Sequence, residues 1–74
     1  MKSNMLKSER IKNGFTQKDL AKALKIDVTS YSKRETGIVE FKLNEVIHLK
    51  EILNLTPKSI DEIFFDNKLE LKSS

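Results

Sequence analysis

The sequence predicts an all-α fold in which five short helices pack into one compact domain. Apolar residues recur at the three-and-four spacing of a helical face in successive stretches. Helix-start and helix-stop residues bracket those stretches. With 74 residues and no cysteine, neither a disulfide nor a thiolate zinc site can staple the chain, so its core must come from packed helices.

The first helix is expected from about Ser3 to Asn13, with Leu6 and Ile11 apolar and Gly14 as the stop. Phe15 opens the next unit as a buried residue. Thr16 is placed to cap the second helix, with Asp19 three residues on as a weaker partner than the Glu of a full capping box. Leu20, Ala21 and Leu24 then share one helical face. In the turn Lys25-Ile26-Asp27, Ile26 plugs the corner and Asp27 caps the following helix. Lys25 stands where glycine would be easiest; a positive φ there costs on the order of 1 kcal/mol.

The third helix, about Val28 to Thr36, has only two large apolar side chains, Val28 and Tyr31. A helix this polar is solvated over most of its surface or meets something polar. Residues 37–42 form a loop with Phe41 tucked under it. In the fourth helix, about Leu43 to Asn54, the apolar set Leu43, Val46, Ile47, Leu49, Ile52 and Leu53 wraps more than half the circumference. That helix is central to the core or also touches a partner, and Lys50 within its apolar face must pack its stem and send its ammonium outward. Thr56 caps the fifth helix, Pro57 takes its first position, and Ile60, Ile63 and Phe64 form its buried stripe with Phe65 left over. Leu69 and Leu71 alternate with charge, so Lys68 to Lys72 could be a short strand, stable only if paired. The expected division is a domain over 1–65 and a tail over 66–74, either flexible or pairing with its twin.

Residues 16–37 thus read as two short helices around a tight turn, with the small Ala21 where they approach. That is a helix-turn-helix, an arrangement that lays one helix in a DNA groove. Charge agrees: residues 1–34 carry nine Lys/Arg against three acids, whereas residues 35–74 carry five Lys against eight acids. The first half faces a polyanion and the second does something else.

Other function classes lack residues to carry them. No apolar run approaches the ~20 residues of a membrane span and the N-terminus lacks a signal-peptide apolar region, so a cytoplasmic protein is expected. His48, the single histidine, has neither co-ligands nor an orienting base. Asp61 and Glu62 sit at adjacent helical positions that do not face one another, and no glycine-rich phosphate loop occurs. An enzyme, a metal site, a cofactor and a small-molecule ligand are all unexpected.

The chain resembles the lambda-repressor/Cro-like, or XRE-type, family of helix-turn-helix regulators. Arg10, Gly14, Thr16-Gln17, Leu20-Ala21, Leu24, Ile26, the run Ser32-Lys33-Arg34-Glu35-Thr36-Gly37, and Leu49 with Leu53 carry the likeness, from about Met5 to Phe65. The ending LNLTPKSIDEIFF resembles members from phages and prophages of Gram-positive bacteria. The resemblance implies a cytoplasmic homodimer that binds a two-fold double-stranded DNA operator, with repression as the expected outcome. It implies base readout by Val28, Thr29, Ser32 and Lys33, and phosphate contact by Thr16, Gln17, Ser30, Arg34 and Lys42. It also implies an internal ion pair between Arg10 and Glu35.

Three positions depart from the family pattern. Val28 replaces a polar reader and can touch only a thymine methyl. Arg34 replaces a frequently apolar residue and is expected over the surface near phosphate. Lys50 replaces a small residue. The surplus hydrophobics Ile52, Phe65, Leu69 and Leu71 are the expected dimer contacts. The competing reading is a protein-binding module of the same fold, an antirepressor or inhibitor, against which the basic first half argues.

Overall fold

Each helix begins and ends where local chemistry serves its free backbone groups. The computed structural model describes residues 1–66, with α1 at Ser3–Lys12, α2 at Gln17–Leu24, α3 at Val28–Glu35, α4 at Leu43–Ile52 and α5 at Pro57–Phe64. At the start of α2 the capping box is complete: Asp19 N–H donates to Thr16 Oγ1 at 3.0 Å, and Thr16 N–H donates to Asp19 Oδ2 at 2.8 Å. Asp27 Oδ1 accepts from Ser30 N–H at 2.7 Å to open α3, and Thr56 Oγ1 accepts from Ser59 N–H at 3.0 Å to open α5 behind Pro57. These bonds hold the Asp19 and Asp27 carboxyls below the usual range, chiefly through the backbone N–H groups that they accept at each cap.

Helices α1 to α4 end in one way. A left-handed residue follows the last turn, and the next N–H reaches back five residues to a free carbonyl. Gly14 (φ 80°) precedes Phe15 N–H to Arg10 C=O at 3.1 Å, and Gly37 (φ 88°) precedes Ile38 N–H to Lys33 C=O at 2.9 Å. Asn54 (φ 52°) precedes Leu55 N–H to Lys50 C=O at 2.9 Å, and Lys25 (φ 60°) precedes Ile26 N–H to Ala21 C=O at 3.0 Å. Lys25 is therefore left-handed without the freedom of glycine or the tolerance of asparagine.

The helices close on Leu6, Leu20, Ala21, Leu24, Tyr31, Leu49, Leu53, Leu55 and Ile63, with Met5, Phe15, Ile26, Phe41, Ile52, Ile60 and Phe64 packed against them half-buried. Phe41 does lie beneath its loop. Its ring meets Tyr31 edge-on at 6.0 Å and Phe64 edge-on at 5.7 Å, which joins α3 to α5 through the loop. The start of α1 is tied to the end of α5, since Lys2 N–H donates to Ile63 C=O at 2.7 Å and the N-terminal amine lies 3.3 Å from Asp66 Oδ2. Among the described residues no helix is long and apolar enough to cross a membrane, and no group of His, Cys, Asp and Glu could hold a metal ion.

Some expectations need correction. The ends of α1, α3 and α4 fall one or two residues earlier, at Lys12, Glu35 and Ile52. Ile11 is exposed. The apolar belt of α4 is not all core: Leu43 and Ile47 are 71% and 48% exposed, and Lys50 is exposed as well. Val46, Leu49 and Leu53 take the inner side, and position 45, one turn before Leu49, shares that face. Leu43 and Ile47, one turn apart, stand together on another. The expected strand at Lys68 to Lys72 lies outside the described residues.

Replacing Lys25 by glycine removes the left-handed penalty while loosening the unfolded chain. Lys25→Gly is expected to raise stability by about 0.5–1 kcal/mol, read as a higher urea midpoint at unchanged slope. A lower midpoint would contradict the geometry given for this turn.

Candidate nucleic-acid interface

Helix α3 turns two side chains inward, Tyr31 and Glu35, one turn apart on one face. A buried carboxylate is unfavourable unless donors surround it, and here they come from three helices. Arg10 of α1 donates from Nε to Oε2 at 2.9 Å and from Nη2 to Oε1 at 3.2 Å, a two-pronged contact. Gln17 of α2 donates from Nε2 to Oε1 at 3.1 Å, and Tyr31 donates its hydroxyl to Oε2 at 2.8 Å. Arg10 Nη1 also reaches Phe15 C=O at 2.9 Å, so the guanidinium holds the α1–α2 connection too. Burial pushes the Glu35 carboxyl toward a higher pKa, but the hydrogen bonds from Arg10, Gln17 and Tyr31, with the Arg10 charge, outweigh it and leave it below the usual range. Burial, then the bond to Glu35 and its negative charge, push the Tyr31 hydroxyl up, so it stays a neutral donor.

A second pair ties α3 to α4. Arg34 Nε donates to Glu45 Oε1 at 3.0 Å with both side chains largely buried, and Arg34 Nη1 reaches Ser30 C=O at 3.2 Å. The same Glu45 oxygen accepts Lys42 N–H at 2.8 Å, which starts α4. Arg34 was expected over the surface as a phosphate ligand. It is instead enclosed in an internal ion pair, because a carboxylate on the inner face of α4 needs a cation.

The outer face of α3 differs. Val28, Thr29 and Lys33 are exposed and Ser32 half-exposed, and among the described residues the Lys33 ammonium enters no ion pair. These four side chains stand on the part of the helix that packing leaves uncovered. The expected phosphate residues are dispersed. Thr16 is exposed with its hydroxyl in the capping box, Gln17 is half-buried on Glu35, Ser30 is half-buried at the first turn of α3, and Lys42 is exposed before α4. Of the expected dimer contacts, Ile52 packs half-buried against the core and Phe65 is 37% exposed, while Leu69 and Leu71 lie outside the described residues.

Tyr31, Gln17 and Glu45 join these internal networks beyond what the sequence predicts. Tyr31 and Glu35 stand one turn apart, a local signal for their contact. Glu45 in the core-facing register of α4 signals a buried acid, but nothing local names Arg34, eleven positions away, as its partner.

A family model described as helix-turn-helix matches residues 6–63 of the chain. No curated protein and no solved structure matches it.

The Glu35 cluster sets an acid dependence. A carboxyl whose folded pKa lies below its ordinary 4.5 contributes stability in full above that value and loses it as pH falls through the lower folded pKa. Glu35→Gln leaves the Arg10 charge uncompensated, so at pH 7 the variant is expected to be less stable by about 3 kcal/mol. Its stability should also fall less steeply than wild type below about pH 4.5. Urea titrations at pH 7, 5, 4 and 3 read both effects, and an acid limb as steep as wild type would place the titrating group elsewhere.

Proposed function

Since the chain belongs to the lambda-repressor-like (XRE) helix-turn-helix family, whose members are DNA-binding transcription regulators, we propose that it is a sequence-specific repressor that binds a two-fold operator as a homodimer. The observation that carries this reading is the division of α3. Tyr31 and Glu35 anchor it from inside, and Val28, Thr29, Ser32 and Lys33 stand outside with no role in the core. A polar helix fixed on one side only is suited to the major groove, where donors, acceptors and a methyl group distinguish the base pairs.

In this reading Lys33 donates to a guanine edge or a phosphate, Thr29 and Ser32 bond to base edges, and Val28 covers a thymine methyl. Thr16, Gln17 and Ser30 approach phosphates at the starts of α2 and α3, where backbone N–H groups and the helix dipole favour an anion. Lys42 adds an exposed positive charge at the start of α4. Arg34 acts from within: by holding Glu45 it sets α3 against α4. Arg10 and Arg34 are neutralised by Glu35 and Glu45, and the seven lysines of residues 1–34 against three acids support approach to a polyanion. One domain makes few base contacts, and two copies about 34 Å apart double them. Repression follows where the operator overlaps a promoter.

A duplex selected from randomised DNA should give discrete complexes in a gel shift, weakening steeply with salt. The double variant Thr29→Ala/Lys33→Ala should bind that duplex about 2 kcal/mol more weakly, roughly thirtyfold, with its helical content unchanged. Unchanged affinity in the double variant would remove this face from DNA readout.

A further inference from the structure

We propose that the apolar groove formed by the α3–α4 loop, the first turn of α4 and the end of α5 is the face on which a second copy of this chain docks. This inference rests on the homodimer reading and gives it a surface.

The groove has a volume of about 640 Å³ and is walled by Met1, Val39, Phe41, Leu43, Val46 and the Phe64–Phe65 pair, with Thr36 and Gly37 at one side. Its walls belong to the folded core below, where Val46 is buried and Phe41 and Phe64 are in ring contact. Its upper parts are open: Leu43 is 71% exposed, Val39 38%, Phe65 37% and Met1 36%. Ile38, next to Val39, is 75% exposed, and Ile47, one turn beyond Leu43, is 48% exposed. Together these six side chains expose on the order of 500 Å² of apolar surface, at the upper end of what a monomer shows. That is more than half of the ~800 Å² each partner contributes to a stable interface. Among the described residues, the other large apolar side chains in water are Ile11 and Val28.

A second copy fits this face better than another occupant for two reasons. The rim carries both signs of charge: Glu40 lines the groove, and the amine of Met1, also in its wall, lies 3.3 Å from Asp66 Oδ2. A two-fold axis lays the same patch against itself, so opposite signs on the two rims can meet around an apolar centre. The groove also adjoins α3 only at its far end, through Thr36 and Gly37, and none of Val28, Thr29, Ser32 or Lys33 lines it. A partner seated here leaves both reading faces uncovered. Among the described residues this surface shares Phe65 with the contacts expected from sequence and leaves out Ile52.

Sedimentation equilibrium of the full chain tests this, with Leu43→Asp and Ile38→Glu as interface variants and Ile11→Asp as the control. Leu43 opens α4, where an added acid suits the helix dipole, and Ile38 lies in the loop, so each variant should fold; circular dichroism verifies it. Wild type and Ile11→Asp should sediment as dimers, and both interface variants should dissociate at least tenfold more readily. Both should keep salt-sensitive binding to bulk duplex DNA at low salt, a property that needs no dimer. Dimers of undiminished strength in both interface variants would overturn the surface and leave the homodimer reading standing. A wild type that stays monomeric with and without DNA would overturn both, whereas loss of DNA binding in wild type would strike the regulator reading itself.

Discussion

A carboxylate only 3% exposed must be compensated from every side or it would unfold the helix that carries it. Glu35 meets that demand with one donor group from each of α1, α2 and its own helix: Arg10, Gln17 and Tyr31. The consequence reaches beyond the pair. Helix α3 has too few apolar side chains to be held by burial, so this cluster supplies much of its attachment. A helix held by hydrophobic contacts alone would need a broad apolar stripe and would lose polar positions to it. Attachment through charge at a single turn leaves the opposite face available for Thr29, Ser32 and Lys33.

The same economy operates between α3 and α4. Arg34 and Glu45 form a second enclosed pair, and Glu45 also starts α4 by accepting the Lys42 N–H. Both faces of the α3–α4 loop are thereby anchored, by this pair on one side and by the Tyr31–Phe41–Phe64 ring series on the other. The loop between them carries Ile38 and Val39 into solvent. Helix placement, the exposed face of α3 and the apolar groove thus depend on where two internal ion pairs, Arg10–Glu35 and Arg34–Glu45, were put.

Much of this was legible in the chain. Thr16, Asp27 and Thr56 marked three helix starts, and each accepts the N–H expected of a cap. Gly14 marked a stop, and Lys25 was readable as a left-handed residue from its place in the turn. The five helices and the motif at α2–α3 followed from such local rules. What was not legible depends on contacts distant in sequence. Periodicity could not say which side of the wide apolar belt of α4 faces inward, because Val46/Leu49 and Leu43/Ile47 both satisfy helical spacing. Arg34 read as a surface cation because its partner lies on another helix. Gln17 read as a phosphate ligand, yet its amide also serves the Glu35 cluster.

In the proposed regulator α3, fixed from inside, presents Val28, Thr29, Ser32 and Lys33 to DNA without rearrangement of the cluster behind it. A nuclear magnetic resonance titration of the full chain with a selected duplex tests it most directly, following backbone amides together with the Arg10 Nε–H and Tyr31 hydroxyl signals. The largest shifts should fall on residues 28–33 and at the start of α2, with the Arg10 and Tyr31 signals retained. Shifts concentrated on α5, or loss of the Arg10 and Tyr31 signals on binding, would contradict it.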